Sequence, residues 1–211
     1  MTFVKVCGMT RRQDVDAAVA LGVDSLGFIL VEASPRHISL KDASELADRV
    51  PTGVRRVAVM MNPSVSEIEA VEECGSFDLL QLHGCETPEM VEAVRLGVIK
   101  AFSISGAAEL EGTEAYGAAK FFLFDSRKRD MKTGREFDHS LLSGRTFKRP
   151  FILAGGLGPD NIGDALVMAR PFGVDLNSGV EESPGVKSIG RLEAAVSIVR
   201  GFDESERGER R

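Results

Sequence analysis

Two reactive side chains, a thiol and a carboxyl, stand where short apolar runs of the sequence end. Cys7 closes the run that begins at Phe3, and Asp125 follows the run Phe121–Phe124. A thiol serves as a general base when its pKa is lowered, and a carboxyl serves as a general acid when its pKa is raised. Each also has a common structural role, Cys7 as a small buried apolar residue and Asp125 as the cap of a turn. Taken together, they are candidates for acid–base catalysis.

Two glycine-bearing turns and one arginine are candidates for binding anions. The turns are Gly155-Gly156 and Asn177-Ser178-Gly179, and each follows an apolar run. Glycines let backbone N–H groups approach an anion closely, so two such turns in neighbouring positions favour a phosphate site over a pair of plain tight turns. Arg36 lies in a loop with no evident helical salt-bridge partner. It is a candidate to bind a carboxylate, with an exposed surface arginine as the alternative.

Further polar residues at the ends of the same runs complete a candidate substrate site. Gln81 and His83 end one run, and Asp175 precedes the second glycine turn. We expect all three to contact the substrate, with His83 as an alternative acid–base group. The three histidines and three cysteines show no metal-ligand spacing. There is neither a P-loop nor a dinucleotide motif after the first strand, so we expect no metal and no nucleotide cofactor.

A basic stretch, Arg127–Arg135, follows the run that ends at Asp125. One interpretation is a lid over an anionic substrate, and the other is a solvated mobile loop, which is the more common outcome for such a composition. Cys85 falls in a loop near His83, so it is a second candidate for the base. Cys74 falls at the end of a predicted helix and is interpreted as structural.

Eight short runs can position these residues. They are nearly continuous in apolar residues, which is typical of strands buried on both faces of a parallel sheet. The predicted strands are Phe3–Cys7, Ser25–Leu30, Arg56–Met61, Leu79–Leu82, Val98–Phe102, Phe121–Phe124, Phe151–Ala154 and Val174–Asn177. Amphipathic stretches separate them, and this alternation predicts an α/β fold, a single-domain (β/α)8 TIM barrel over residues 1–202. An open doubly wound sheet is the alternative, but it usually has about five or six strands.

Helix-start signals precede several of the amphipathic stretches. Thr10 with Gln13, and Ser64 with Glu67, have the spacing of a capping box. Thr87-Pro88 places a capping hydroxyl before a proline at the first helical position. In a (β/α)8 barrel the active site lies at the carboxyl ends of the strands, where the candidate residues above stand.

Composition excludes several classes of protein. The 211 residues carry a net charge of -6, with 43% hydrophobic and 27% charged residues and a pI near 5.2. An acidic chain of this kind argues against a nucleic-acid partner, and no apolar run approaches the roughly 18 residues of a membrane span. The start lacks a signal-peptide pattern, and three cysteines do not suggest a disulfide framework, so we expect a cytoplasmic protein. We expect the charged segment 203–211 to be a disordered tail.

The sequence resembles the phosphoribosylanthranilate isomerase family of tryptophan biosynthesis. The resemblance runs in order from about Val4 to about Val199 and rests on several motifs. These are Lys5-Val6-Cys7-Gly8-Met9-Thr10, Gly27-Phe28 with Ser34-Pro35-Arg36, Gln81-Leu82-His83-Gly84-Cys85-Glu86, Leu153-Ala154-Gly155-Gly156-Leu157 and Val174-Asp175-Leu176-Asn177-Ser178-Gly179-Val180-Glu181.

The resemblance implies a (β/α)8 barrel that converts N-(5-phosphoribosyl)anthranilate into 1-(2-carboxyphenylamino)-1-deoxyribulose 5-phosphate without a cofactor. The family's general base corresponds to Cys7, its general acid to Asp125, and its arginine for the anthranilate carboxylate to Arg36. Its phosphate-binding backbone corresponds to Gly155-Gly156 and Asn177-Ser178-Gly179. The implied partner is a phosphorylated small molecule, and the implied state is a monomer or a homodimer.

Two positions depart from the family's pattern. The loop after the acid is often glycine-rich in the family, whereas Arg127–Arg135 is mostly charged, and Asn177 replaces the first of two serines.

Other phosphosugar barrel enzymes are the nearest alternatives. The indole-ring synthase needs a catalytic lysine and an N-terminal segment, for which a first strand at Phe3 leaves no room, and the histidine-pathway isomerase relies on paired aspartates. A non-catalytic module that binds a phosphate ligand is the alternative from another class, but it needs neither Cys7 nor Asp125.

Overall fold

Eight parallel strands close into a barrel in which the last strand pairs with the first. The computed structural model describes residues 1–104, 106–126 and 139–209. The strands are β1 (Phe3–Cys7), β2 (Ser25–Ile29), β3 (Arg55–Met60), β4 (Leu79–Leu82), β5 (Gly97–Ile104), β6 (Phe121–Ser126), β7 (Phe151–Ala154) and β8 (Gly173–Leu176). Each pairs with its neighbours in chain order, and β8 pairs with β1. The predicted single-domain (β/α)8 barrel is confirmed.

The outer layer is less regular than the predicted strict alternation. The helices are α1 (Arg12–Ala20), α2 (Leu40–Ala47), α3 (Val65–Glu73), α4 (Pro88–Ala93), α5 (Ala108–Glu111), α6 (Ile162–Ala169) and α7 (Ile189–Glu209). Single 3₁₀ turns lie at Gly112–Ala115, His139–Leu142 and Ser178–Val180. A two-stranded antiparallel hairpin of β9 (Glu181–Ser183) and β10 (Val186–Lys187) follows β8. Among the described helices, none has both the length and the apolar character needed to cross a membrane.

Two of the three predicted helix starts are confirmed. Ser64 and Glu67 form the full capping box at the start of α3, and Thr87 caps α4 with a proline in its first turn. The prediction for Thr10 was wrong, because α1 begins at Arg12 without a side-chain cap. The Thr10 hydroxyl instead donates a hydrogen bond to the carbonyl of Gly185, in the β9–β10 hairpin. Thr10 therefore makes a tertiary hydrogen bond to Gly185 in place of the predicted local helix cap.

The strands bury both of their faces, as their continuous apolar runs predict. On β1, Val4 and Val6 belong to the core between the barrel and its helices, whereas Cys7 belongs to a second core inside the barrel. The inner core consists mainly of aliphatic side chains with Phe121. Successive side chains of a strand point to opposite faces, so Lys5 shares the inner face with Cys7. Residues that face inward near the carboxyl ends of the strands can therefore reach one common space.

The carboxyl-terminal segment differs from the prediction of a disordered tail. Helix α7 continues to Glu209, well beyond Asp203. The Asp203 carboxylate accepts hydrogen bonds from the backbone N–H of Thr2 at 2.8 Å and from its hydroxyl at 2.8 Å. Glu206 forms an ion pair with Arg170 at 2.9 Å. The charges that suggested a disordered end therefore attach the helix to the amino-terminal end of the barrel, and the helix also brings the two ends of the chain together.

Candidate active site

The predicted site residues converge on one cavity at the carboxyl ends of the strands. The cavity has a volume of about 260 Å³. Ten of the eleven predicted site residues line it, namely Cys7, Arg36, Gln81, His83, Asp125, Gly155, Gly156, Asp175, Asn177 and Ser178. A larger cavity of about 590 Å³ lies around Arg55 and Lys120 at the opposite end of the barrel, and its lining includes no thiol or imidazole. Chemistry, not size, therefore identifies the candidate site.

Cys7 ends β1 with its side chain on the inner face, and it is almost completely buried. Gly27, its neighbour on β2, makes room for it. A Cβ atom at Gly27 would lie 2.8 Å from the Cys7 sulfur and 3.2 Å from Nζ of Lys5. Burial raises the pKa of the Cys7 thiol, the Lys5 ammonium opposes that shift, and the Asp175 carboxylate reinforces it. Cys7 therefore lacks the lowered pKa that a base needs, and the resting thiol is protonated at neutral pH.

Asp125 near the end of β6 faces His83 from the end of β4. Oδ2 of Asp125 lies 3.4 Å from Nε2 of His83, and Nδ1 of His83 lies 3.2 Å from Nε2 of Gln81. Because the amide Nε2 is a donor, we assign Nδ1 as the acceptor and place the imidazole proton on Nε2, toward the carboxylate. Gln81, His83 and Asp125 therefore form a chain of polar contacts in which the histidine orients the candidate acid.

Arg36 lies on the loop after β2, where Glu181 of β9 holds its guanidinium. Nε of Arg36 donates to the two carboxylate oxygens of Glu181 at 2.9 and 3.0 Å, and Nη2 donates to Oε2 at 2.6 Å. Lys187 binds the same carboxylate at 2.9 Å and the side-chain oxygen of Asn177 at 3.1 Å. Burial raises the pKa of Glu181, but the bonds from Arg36 and Lys187 outweigh it and lower the pKa below its usual value. Glu181 is therefore a charged anchor for Arg36.

Asp175 of β8 lines the cavity and also binds Lys5 in the interior of the barrel. Its Oδ2 accepts a hydrogen bond from Nζ of Lys5 at 2.8 Å, and Lys5 is fully buried. Burial lowers the pKa of Lys5, but its charge interaction and hydrogen bond with Asp175, together with the neighbouring Cys7, outweigh burial and raise the pKa above its usual value. Lys5 is therefore an ammonium at neutral pH. The other Asp175 oxygen, Oδ1, is buried and has no hydrogen-bond partner among the described residues, although Asp175 lines the cavity. A ligand hydroxyl can satisfy that oxygen.

The two glycine turns lie against each other after β7 and β8. Gly155 and Gly156 have φ angles of 119° and 67°. A Cβ atom on Gly179 would overlap the carbonyl oxygens of Gly156 and Leu157, so Gly179 permits the close approach although it does not line the cavity. Ser178–Val180 forms a 3₁₀ turn of three residues. Any anion here is therefore bound by backbone N–H groups without the dipole of a long helix.

Sequence reasoning missed three charged residues that support the site, Lys5, Glu181 and Lys187. Lys5 carried a signal, because a charged residue at an inward position interrupts an otherwise apolar strand. Cys85 is exposed and lies outside the cavity lining, and its backbone N–H donates to the side chain of Asn62. The predicted basic loop Arg127–Arg135 lies outside the described residues. Within the described ranges, no cluster of three or more His, Cys, Asp or Glu side chains could hold a metal ion.

Comparison with known proteins identifies the family. Residues 4–197 match the family model described as N-(5'phosphoribosyl)anthranilate (PRA) isomerase. The chain is 41% identical to N-(5'-phosphoribosyl)anthranilate isomerase of Petrotoga mobilis, over 96% of this chain and 99% of the relative. It is 39% identical to the same enzyme of Bordetella parapertussis, over 96% and 98% of the two chains.

Solved structures agree with the sequence relatives. The phosphoribosyl anthranilate isomerase of Thermotoga maritima superposes with a TM-score of 0.88 at 33% identity, over 95% of this chain and all of that one. Another structure of a phosphoribosyl anthranilate isomerase, in complex with reduced 1-(o-carboxyphenylamino)-1-deoxyribulose 5-phosphate, superposes with a TM-score of 0.86 at 33% identity, over the same shares. The chain therefore belongs to the N-(5'-phosphoribosyl)anthranilate isomerase family.

Proposed function

We propose that this chain converts N-(5-phosphoribosyl)anthranilate into 1-(2-carboxyphenylamino)-1-deoxyribulose 5-phosphate, an Amadori rearrangement in tryptophan biosynthesis. The observation that carries the proposal is the single cavity that Cys7, Asp125 and Arg36 line together with both glycine turns. Such a cavity offers one acid, one base and separate sites for a carboxylate and a phosphate. The substrate presents both of these anions, with the reacting sugar carbons between them.

In the first step, Asp125 acts as the general acid. It donates a proton to the ring oxygen of the ribose, the bond from that oxygen to C1 breaks, and the nitrogen lone pair forms a C=N bond. The product of this step is an open-chain protonated Schiff base. His83, 3.4 Å from the carboxylate of Asp125, orients the acid toward the sugar.

In the second step, the Cys7 thiol releases its proton to solvent, and the resulting thiolate removes the proton from C2. The C–H electrons form a C1=C2 bond, and the electrons of the C=N bond return to the nitrogen, which gives an enolamine. A proton then moves from the C2 hydroxyl to C1, and the ketone results. The imine nitrogen is the electron sink, so the rearrangement requires neither a metal nor a cofactor. Cys7 is then a thiol again, and the site resets when Asp125 regains a proton from solvent.

The remaining residues bind the substrate. We assign the anthranilate carboxylate to Arg36, whose guanidinium Glu181 already orients. The phosphate binds the backbone of Gly155-Gly156 and Asn177-Ser178-Gly179. Gln81, His83 and Asp175 contact the hydroxyl groups of the sugar between the two anions.

Turnover of phosphoribosylanthranilate by the purified protein tests the proposal, because loss of the fluorescent substrate follows the reaction directly. Wild type should consume it, and a variant with both Cys7→Ala and Asp125→Asn should not. If the wild type binds the substrate and the product without interconverting them, the protein is a phosphate-ligand binding module and the proposal is wrong.

We further propose that the only partner the activity needs is this phosphorylated small molecule, with no part for nucleic acid or a membrane, and that the protein works in the cytoplasm. The acidic net charge of -6 supports the first point. The proposed assembly is a monomer or a homodimer. A Thermotoga maritima relative that superposes with a TM-score of 0.86 is described as dimeric, with monomers generated from it.

A further inference from the structure

One buried charge, the ammonium of Lys5, has no part in the steps above. Its side chain is fully buried inside the barrel, where the other strands contribute mostly aliphatic side chains. Burying an ion pair is a poor source of stability, since desolvation offsets the attraction between its charges. An apolar residue at this position would fill the barrel at less cost. A buried ion pair beside a reactive thiol therefore points to a role in the chemistry.

The backbone places Lys5 between the two groups that it contacts. In the parallel pairing of β1 with β8, Lys5 is the direct neighbour of Asp175, and Nζ lies 2.8 Å from Oδ2. Lys5 and Cys7 are two residues apart on one strand and so share its inner face. A Cβ atom on Gly27 would lie 2.8 Å from the Cys7 sulfur and 3.2 Å from Nζ of Lys5, so both side chains pack over this one glycine. The ammonium therefore lies between the carboxylate and the thiol.

We propose that Lys5 is the positioning residue of the catalytic base. Its ammonium holds the sulfur of Cys7 and balances the negative charge when the thiolate forms, while Asp175 fixes the ammonium from the other side. This inference rests on the proposed function, in which Cys7 removes the proton from C2. Lys5 itself is not the base, because it carries its proton at the pH where the enzyme works.

Among the charged groups around Cys7, Lys5 is the one best placed to balance the negative charge of the thiolate. The Asp175 carboxylate on β8 raises the pKa of Cys7, whereas the ammonium groups of Lys5 on β1 and Lys187 on β10 lower it. Burial raises the pKa of Asp175 and lowers that of Lys187, whereas the pKa of Lys5 is raised, so Lys5 holds its charge most firmly. Lys187 is already bound to Glu181 and Asn177, and Arg36 is bound to Glu181. The ammonium of Lys5 lies on the same inner face of β1 as the thiol and lowers the pKa of Cys7. Removing its charge leaves a buried thiolate beside a carboxylate, which is the costliest arrangement in this site.

The pKa of Cys7 in four proteins tests the inference. The proteins are wild type, Asp175→Asn, Lys5→Met and the double variant Lys5→Met/Asp175→Asn. The pKa is measured from the ultraviolet absorbance of the thiolate, as the difference from a Cys7→Ala version of each protein. Asp175→Asn should lower the pKa, because it removes a neighbouring negative charge, and Lys5→Met should raise it. A residue that only fills space would not produce shifts of opposite sign in the two variants.

The double variant keeps the test decisive if Lys5→Met alone does not fold, because it buries no unbalanced charge. It differs from Asp175→Asn only in lacking the Lys5 ammonium. Compared with Asp175→Asn, the double variant should have a higher Cys7 pKa and a kcat that is at least about a hundredfold lower. The matched control is Lys100→Met/Glu86→Gln, which removes another buried ion pair, at 3.0 Å, and should leave the pKa of Cys7 unchanged.

Equal pKa values for Cys7 in Asp175→Asn and in the double variant would overturn the inference, while leaving the proposed function intact. Near wild-type turnover by Cys7→Ala would instead overturn the proposed function, because the base would then lie elsewhere. The two failures are therefore distinguishable. The expected result is that Cys7→Ala loses turnover and that the two single charge variants move the thiol pKa in opposite directions.

Discussion

Arg36 and Glu181, which are 145 positions apart in the sequence, are joined by three nitrogen–oxygen contacts of 2.6 to 3.0 Å. The carboxylate engages Nε and Nη2 of the guanidinium, and Nη1 has no contact with it. Because the guanidinium is planar, fixing these two nitrogens fixes the direction of the third. Arg36 lines the cavity, so Glu181 determines how the arginine presents itself to a ligand.

Replacing Glu181 with glutamine should therefore weaken substrate binding although the arginine remains. We expect KM to rise by about tenfold with a smaller change in kcat, because a charge-assisted contact is worth roughly 1.5–3 kcal/mol and this one acts indirectly. Arg36→Ala should raise KM further. KM and kcat of Glu181→Gln, Arg36→Ala and the double variant are measured by steady-state kinetics.

A substrate analogue that lacks the carboxylate provides the control. In Arg36→Ala, loss of the carboxylate should bring little further loss of affinity, because its partner is already gone. If the losses from the variant and from the analogue add independently, Arg36 does not bind this group.

Cys7→Ala should lower kcat by about a hundredfold or more and leave the affinity for product close to that of wild type, because the base is lost and the cavity is not filled. Steady-state turnover measures the loss of kcat, and titration with product measures the affinity. Cys85→Ala is the matched control, since Cys85 is exposed and lies outside the cavity lining. A large loss in Cys85→Ala with little loss in Cys7→Ala would reassign the base.

Asp125→Asn should reduce kcat about as strongly, because an amide cannot deliver the proton that opens the ring. The variant should unfold at nearly the same urea concentration as wild type, since Asp125 is only half-buried and its side chain faces the cavity. His83→Gln should cost less, because we assign the histidine to orientation. A greater loss in His83→Gln than in Asp125→Asn would make His83 the acid.

Gly156→Val should weaken the binding of phosphorylated product far more than it weakens the fold. The side chain would enter the turn that we assign to the phosphate. Gly22→Val is a matched control, because Gly22 has φ 68° against 67° for Gly156 and a Cβ there meets no atom within 4 Å. Both variants carry the same backbone strain, so only the first should lose product affinity and competition by inorganic phosphate. If Gly156→Val and Gly22→Val bind the product with equal affinity, the phosphate does not bind at the Gly155-Gly156 turn.

The Glu86–Lys100 pair predicts a pH dependence of stability. Glu86 is buried; burial raises its pKa, but hydrogen bonds from the backbone of Asn62 and from Lys100 outweigh it and hold the pKa below the usual value. A lowered pKa in the folded state stabilises the fold above the unfolded value of about 4.3, and this contribution disappears as the pH falls through the folded value. Glu86→Gln should cost on the order of 3 kcal/mol at pH 7, because it breaks a buried pair.

Urea unfolding of wild type and Glu86→Gln across the acidic range measures this contribution. The difference in the free energy of unfolding should be constant above pH 5 and should shrink in more acidic solution. A difference that does not change with pH would mean that Glu86 contributes through packing and not through its charge.

The strands were predictable because burial on both faces leaves a simple pattern. Strand β3 runs from Arg55 to Met60, one residue from its predicted position at both ends. The carboxyl ends of these strands also placed Cys7 and Asp125 correctly in one cavity. The pKa of Cys7 was not predictable, because its direction depends on burial and on Asp175, which lies on the far side of the sequence.

Of the supporting residues, Glu181 and Lys187 could not be predicted, for a related reason. Glu181 contacts Arg36 only because the barrel closes, and no local pattern relates two positions so distant in the chain. The disordered tail was predicted from its charges and its lack of apolar anchors. Those charges have specific partners in the first residues and on the loop that follows α6, so composition could not reveal them.

Closure of the barrel through β1 and β8 has a consequence for synthesis of the protein. The strand that carries Lys5 and Cys7 leaves the ribosome before all the other strands of the barrel, and its neighbour β8 is the last of the eight to follow. Until Asp175 has been translated, the Lys5 ammonium has no counter-charge and one edge of β1 has no hydrogen-bonding partner. The nascent chain must therefore keep this strand in solution, or bound to a chaperone, until β8 has been made. The ligand cavity arises only at the end, when the chain joins its last strand to its first.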